Sequence, residues 1–350
     1  MKHLLIFVFF VIILLFSANN RIYCTDDVPE AEAQETKTHG SATQEAAAKK
    51  HNTRKYEYII APFFGVIHGQ STELVYPVIT KGELLSELIW DIKPVFYLGL
   101  KFDAGRRNIM EGLGVFASAA VKIGIPGDSG IMEDRDWQSV IDNALTNFSS
   151  HTNKTNEFFN VDVLIGMSIP LKYLYITPYI SGSWMRFSFA GRDGYKKYAR
   201  GFGNNIYYPI DDDPDVDYFS GEVIKYKQDW FLLAPGFIIG TNILSPFTFE
   251  LSFQISPLTY CESIDYHLLF PKRTFYDYSS FGLFLEPKAA VSFKKDMFDF
   301  TFEFAYRYIG KTRGDSYIKW GDSKSASLLI EEAGAKLSFI DIRFLARIYL

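Results

Sequence analysis

The chain has 350 residues, with 36 Lys and Arg against 41 Asp and Glu, for a net charge of −5. That balance lacks the basic surplus that a nucleic-acid partner favours, so none is expected. Aromatic residues make up 17% of the chain, with 32 Phe and 22 Tyr, and two cysteines are too few for a disulfide framework.

Residues 1–24 read as a secretory signal peptide. Lys2 and His3 give a basic start, and positions 4–16 are an unbroken apolar run, short for a membrane-spanning helix. Cleavage after Cys24 and cleavage near Ala18 both remain open. So do lipidation of Cys24, whose preceding Arg21 and Tyr23 fit that motif poorly, and an uncleaved anchor. Residues 25–55 are rich in Ala, Glu, Gln, Thr and Lys and hold no Phe, Tyr or Trp. They cannot bury enough apolar surface to offset chain entropy, and read as a disordered polar linker.

From residue 56 to 350 the period is β. The clearest stretch is 298–308, where Phe298, Phe300, Phe302, Phe304, Tyr306 and Tyr308 share one face while Asp299, Thr301, Glu303 and Arg307 share the other. An almost purely aromatic face on a strand of this length suits lipid better than a second sheet. Similar strands are expected at 56–69, 84–102, 113–124, 157–169, 171–191, 223–243, 246–267, 281–294 and 332–350. With 298–308 that makes an all-β, transmembrane antiparallel β-barrel of ten strands, an even number as closure of a bacterial barrel requires. Residues 125–154, 192–222 and 267–280 read as long outward loops, against tight turns near Pro170, Ser245 and Lys295.

Two short stretches carry the candidate chemistry. In Met132-Glu133-Asp134-Arg135-Asp136-Trp137, an extended backbone puts Asp134 and Asp136 on one face and Glu133, Arg135 and Trp137 on the other. Taken alone, this is a solvated acidic loop with Arg135 as its counter-ion. Downstream, Asp265-Tyr266-His267 puts a carboxylate and an imidazole on one strand face, where the acid can orient the ring and raise its basicity. The bland reading of His267 is a rim histidine. Both pairs fall where strands run into long loops, at the same end. Other patterns are weak. The acidic run at 211–217 lacks the spacing and glycine of a calcium loop. No metal site is expected, since no His-Glu-x-x-His spacing occurs, and no Gly-x-Ser-x-Gly elbow is present.

These stretches together resemble the omptins, outer-membrane proteases on ten-stranded barrels. Met132-Glu133-Asp134-Arg135-Asp136-Trp137 resembles that family's Met-x-Asp-x-Asp-Trp signature, and Asp265-Tyr266-His267 its Asp-x-His pair. Five more matches keep the family's order: Glu73-Leu74-Val75-Tyr76, Ser86-Glu87-Leu88-Ile89-Trp90, Asn156-Glu157-Phe158, Arg186-Phe187-Ser188-Phe189 with Gly194, and Tyr226-Lys227-Gln228. The resemblance implies a bacterial outer-membrane location with the active site facing outward. It also implies hydrolysis of peptide bonds by a water held between Asp265–His267 and Asp134–Asp136. His267 takes the proton, Asp265 orients the ring, Asp134 holds the water from across the cleft, and Asp136 supports it.

The resemblance further implies a preference for a basic residue before the cut, set by two pocket acids. Glu73 matches the first of these, but Ser263 stands where the second is expected, and Glu262 beside it points to the other face. Loss of one charge weakens the preference by roughly a few kcal/mol in a dry pocket. No cofactor is implied beyond a bound outer-membrane lipid. Arg186 matches one phosphate-binding arginine of the family's lipopolysaccharide site, whereas Trp184 and Asp229 replace its other members. The partners expected are peptide or protein substrates with basic residues and a membrane lipid. The competing reading is a non-enzymatic adhesin on the same scaffold, with a narrow pore behind it.

Overall fold

The computed structural model describes residues 57–77, 84–105, 114–138, 144–199, 201–202, 206–207, 209–210, 215–241, 245–269, 271–295 and 298–350. The signal peptide and linker expected at 1–24 and 25–55 lie outside these. The described residues fall in one compact unit, Thr53–Leu350.

Ten long strands form the barrel, each antiparallel to its neighbours. They are β1 (Glu57–Val75), β2 (Ser86–Gly105), β3 (Gly114–Gly124 continuing as Gly127–Asp136), β4 (Asn147–Pro170) and β5 (Tyr175–Tyr198). Then come β6 (Glu222–Thr241), β7 (Phe247–Ser256, Thr259–His267), β8 (Arg273–Ser280, Phe284–Lys295), β9 (Phe298–Ile309, Arg313–Trp320) and β10 (Ser327–Tyr349). The ring closes where β10 pairs with β1, from Ile59 opposite Tyr349 to Val75 opposite Ala333. Closure leaves no unpaired edge, which a sheet in lipid cannot tolerate.

The alternation read at 298–308 holds in space. Phe298, Phe300, Phe302, Phe304 and Tyr306 are exposed on the outer wall, and Asp299, Thr301, Glu303 and Arg307 are buried in the lumen. Exposed Phe64, Phe96, Leu98, Phe231, Leu233, Phe249 and Leu251 continue the outer belt around the ring. A collar of exposed polar and charged residues bounds it: His68, Lys93, Glu157, Glu262 and Lys311. The membrane-spanning segments end at this collar, and the strands run on beyond it.

That extension corrects the expected loops. Residues 127–136 and 147–156 form paired strand, as do 273–280, so the stretches 125–154 and 267–280 are largely hairpin arms. β1 likewise runs to Val75 and β9 to Trp320. The physical reason is that beyond the collar neither strand face meets lipid. The apolar alternation that marks a spanning strand disappears while backbone pairing continues.

Inside the belt, the lumen is filled by ion pairs. Arg307 Nε lies 2.5 Å from Glu286 Oε2 and Arg343 Nε 2.7 Å from Glu303 Oε2. Lys122 Nζ meets Asp341 Oδ2 at 2.8 Å, and Tyr97 donates to the same carboxylate. Above them, aromatic rings close the channel: Phe158, Phe187, Phe189, Trp90 and Tyr226 stack in series, with centroids 4.9–5.6 Å apart. This layer is the floor of the chamber beyond the collar. Removing one partner of a buried pair strands the other charge. Arg343→Met should therefore lower stability by roughly 3 kcal/mol, measured as the urea-unfolding free energy of protein folded into lipid vesicles.

Candidate active site

Beyond the collar, a cavity of about 470 Å³ opens between β1, β3, β7 and β8, lined by Glu73, Asp134, Asp136, Asp265, His267 and Asp277 among others. The local backbone delivers each side chain. On β3, a register shift between Asp128 and Ile131 brings the strand back into pairing with β2 and β4. Gly130 makes that shift possible. Its φ is +105°, and a Cβ there would lie 2.6 Å from Asp91 Oδ2. Asp91 meanwhile accepts from the Ile131 amide at 3.1 Å. From that anchor, period two turns Asp134 and Asp136 into the cavity.

Asp134 accepts from Ser86 Oγ at 3.4 Å. Asp136 Oδ2 accepts from Asn147 Nδ2 at 3.1 Å and Gln138 Nε2 at 3.2 Å. Arg135 does not serve as their counter-ion. It faces the other way and pairs with Glu133 at 2.5 Å, where each strand's opposite face puts it. Burial and then the Asp136 charge push the Asp134 carboxyl well above its ordinary range, while His267 pulls it back. Burial likewise raises Asp136, opposed by its hydrogen bonds.

Across the cavity, Asp265 Oδ2 lies 2.5 Å from His267 Nε2. Asp265 is buried at 1% exposure, and its second oxygen has no partner. The ring packs edge-on to Phe275 at 5.4 Å. Burial works against a charged His267, but the Asp265 charge and hydrogen bond, with Asp134 adding to them, outweigh it and raise the imidazole above its ordinary 6.5. The structure thus brings Asp134, Asp136, Asp265 and His267 to one chamber, with a basic imidazole on one wall and an electron-rich acid pair on the other.

The remaining sequence-derived candidates divide. Glu73 lines the cavity and is 3% exposed, with Oε2 unpartnered. Ser263 is buried, and its hydroxyl donates to Asp277 Oδ2 at 3.4 Å across the β7–β8 ladder. Glu262 points to the exterior, as its odd register demands. Arg186 lies on the outer wall of β5 and does not line the cavity. Its guanidinium is held by Asp229 in a two-point contact of 2.7 and 3.0 Å, and it stacks on Trp184 at 5.2 Å. The residue that replaces the expected second arginine therefore neutralises the first.

Sequence reasoning missed Asp277 and Arg273, both cavity-lining, because 267–280 was read as loop. The signal was present: Phe275, Asp277 and Ser279 alternate with Tyr276 and Tyr278, a strand pattern whose inward face is polar. Ser86 was marked only as the first residue of a family-like motif, and Asn147 and Gln138, which hold Asp136, carried no signal of their own. The assembled geometry makes a test of the pair direct. Replacing Asp265 with Asn should drop the His267 pKa below 6.5, because burial then acts unopposed by its main partner, as followed by histidine ring NMR titration in micelles.

A model of the omptin family matches residues 55–342 of the chain. Among solved structures, the outer membrane protease OmpT from Escherichia coli superposes with a TM-score of 0.70 at 16% identity, covering 84% of this chain and 97% of that one. The translocator domain of the autotransporter NalP from Neisseria meningitidis superposes with a TM-score of only 0.33 at 9% identity, covering 85% of this chain and 90% of that one. The first shows the same barrel fold; the second carries no argument. No curated protein matches the chain.

Proposed function

The chain belongs to the omptin family of outer-membrane β-barrels, and on that premise we propose that it is an endopeptidase that hydrolyses peptide bonds without a covalent intermediate. One observation carries the reading. The Asp265–His267 contact at 2.5 Å opens on the same chamber as Asp134 and Asp136, and no Lys or Arg among the described residues pairs with either of those acids. An acid pair kept together without a cation is costly, and a positioned proton acceptor facing it gives the arrangement a use.

The mechanism follows from the roles these groups can play. A water bound between the two walls loses a proton to His267, whose basicity Asp265 sustains. Asp134 accepts a hydrogen bond from the same water and aims its lone pair at the scissile carbonyl. Asp136, held by Asn147 and Gln138, fixes Asp134 and shares its proton inventory. Attack forms a C–O bond and moves the carbonyl electrons onto oxygen. Collapse then breaks the C–N bond, and His267 returns its proton to the departing amine. The aromatic floor and the crowded rim limit the number of waters that compete.

Substrates are peptides or proteins with a basic residue before the cut, attracted by the acid-rich chamber with Glu73 at its wall. The chamber faces outward from the bacterial outer membrane. The lipid dependence of this chain is weak, because Asp229 already engages Arg186 through both Nε and Nη2 and offsets the charge a phosphate would meet.

Refolded protein offered a quenched peptide library centred on Arg-Arg, Lys-Lys and uncharged pairs tests the reading. Cleavage after Arg or Lys that falls at least about 10³-fold in His267→Ala is the expected result. Folded protein that cleaves nothing would favour the adhesin reading instead. Adding lipopolysaccharide should change the rate less than about twofold; strict dependence would overturn the lipid argument.

A further inference from the structure

Most acids buried in this barrel sit beside a cation, so the exceptions stand out. Glu286 and Glu303 meet Arg307 and Arg343, and Asp341 meets Lys122. Glu73 and Asp277 differ. Both are buried, at 3% and 6% exposure, both line the chamber, and no Lys or Arg among the described residues pairs with either. Glu73 Oε2 has no hydrogen-bond partner at all. They face one another electrostatically: Asp277 acts on Glu73, and Asp265 acts on both. A fully buried acid pair without a cation is a vacancy of charge that a guest can fill.

The position of Asp277 says which guest. It is the ladder partner of Ser263, four residues deeper along β7 than His267. The step is roughly 13 Å at strand rise, so a long, straight side chain entering beside the catalytic wall ends near the two carboxylates. Ser263, where a pocket acid was expected, instead donates its hydroxyl to Asp277 at 3.4 Å. Directly opposed strand residues have Cβ atoms about 4.5–5.5 Å apart. A carboxylate moved from one to the other still reaches the same space.

We propose that Asp277, together with Glu73, forms the pocket that holds the basic side chain of the substrate, the carboxylate absent at Ser263 being supplied from the neighbouring strand. The inference rests on the protease reading of this site and adds the residue that sets its specificity. The consequence is a pocket that trades a proton for a cation. Burial raises Asp277 to about 7, with Asp265 and Glu332 adding to it and the Ser316 and Ser263 hydroxyls opposing. Burial, then Asp265, Asp277 and Asp134, raise Glu73 well above its ordinary range. Arg273, the other charged group lining the chamber from β8, sits at its mouth beside His267. Near neutral pH the pair therefore holds a proton, which an arriving guanidinium or ammonium expels. Cation affinity rises with pH through this range and weakens below it.

The test separates the pocket from the chemistry. Binding of agmatine, a guanidinium probe with no peptide bond, is measured by calorimetry on refolded wild type, Asp277→Asn, Glu73→Gln and the exchange Ser263→Asp with Asp277→Ser. Two buffers of different ionisation enthalpy count the protons released. The expected result is proton release on binding to wild type, larger at pH 6.5 than at pH 8. Each single variant should bind at least about tenfold more weakly, and the exchange should recover most of the loss. In peptides, the ratio of kcat/KM for Arg over norleucine before the cut should fall by a similar factor in Asp277→Asn. Using a ratio cancels the titration of His267. Wild-type agmatine affinity in Asp277→Asn, or an exchange variant that binds no better than Asp277→Asn, overturns the proposal. Agmatine binding that depends on Asp277 in a protein that cleaves nothing would instead sink the protease reading and leave the pocket standing.

Discussion

A charge inside a closed β-barrel must find a partner, and this constraint orders the whole molecule. The lipid-facing wall excludes water and the ring of strands leaves no edge, so acids in the lumen within the belt are costly unless they are paired. The Arg307–Glu286 and Arg343–Glu303 pairs answer that need, with Lys122 and Tyr97 gathered on Asp341. Beyond the collar the same barrel keeps its acids differently. Glu73, Asp134, Asp136 and Asp277 converge on one chamber with no Lys or Arg in contact among the described residues. Below the aromatic floor the acids meet cations directly; above it Arg273 is the one Lys or Arg among the described lining residues, and it forms an ion pair with none of the four. The boundary between the two is the boundary between scaffold and site.

The floor connects these zones mechanically. Trp90 stacks between Phe189 and Tyr226, and Gln228 ties Ser71, Tyr226 and Trp230 together beneath the chamber. Rings packed face to face hold their positions without lowering the polarity of the chamber above them. Asp134, Asp136, Asp265 and His267 consequently stand on strands, not on loops, and their spacing is inherited from ladder register. One consequence is that Asp265 and His267 share a face because β7 is unbroken from Thr259 to His267. Another is that Asp277 reaches the pocket because β8 pairs in register with it.

The lipid-facing part of this architecture is written plainly in the chain, because lipid on one side and ions on the other impose strict alternation. All ten strands were locatable from it, and the segment at 298–308 was legible residue by residue. The chamber was legible only through local doublets, Asp134 with Asp136 and Asp265 with His267, because those are two residues apart on one strand. Relations between strands were not. Nothing in the sequence says that Ser263 stands opposite Asp277 or that Asp229 clasps Arg186. Both depend on register between segments 14 and 43 residues apart respectively, and alternation fades once strands leave the membrane.

The central claim is that the two chamber walls activate a water directly against a peptide bond. It is tested most directly by single-turnover cleavage of a basic peptide in ¹⁸O-enriched water, with rapid quench and mass spectrometry of both protein and products. The account predicts one ¹⁸O atom in the newly formed carboxylate and no mass added to the enzyme at any time before turnover is complete. A transient adduct carrying the acyl half of the peptide would contradict it.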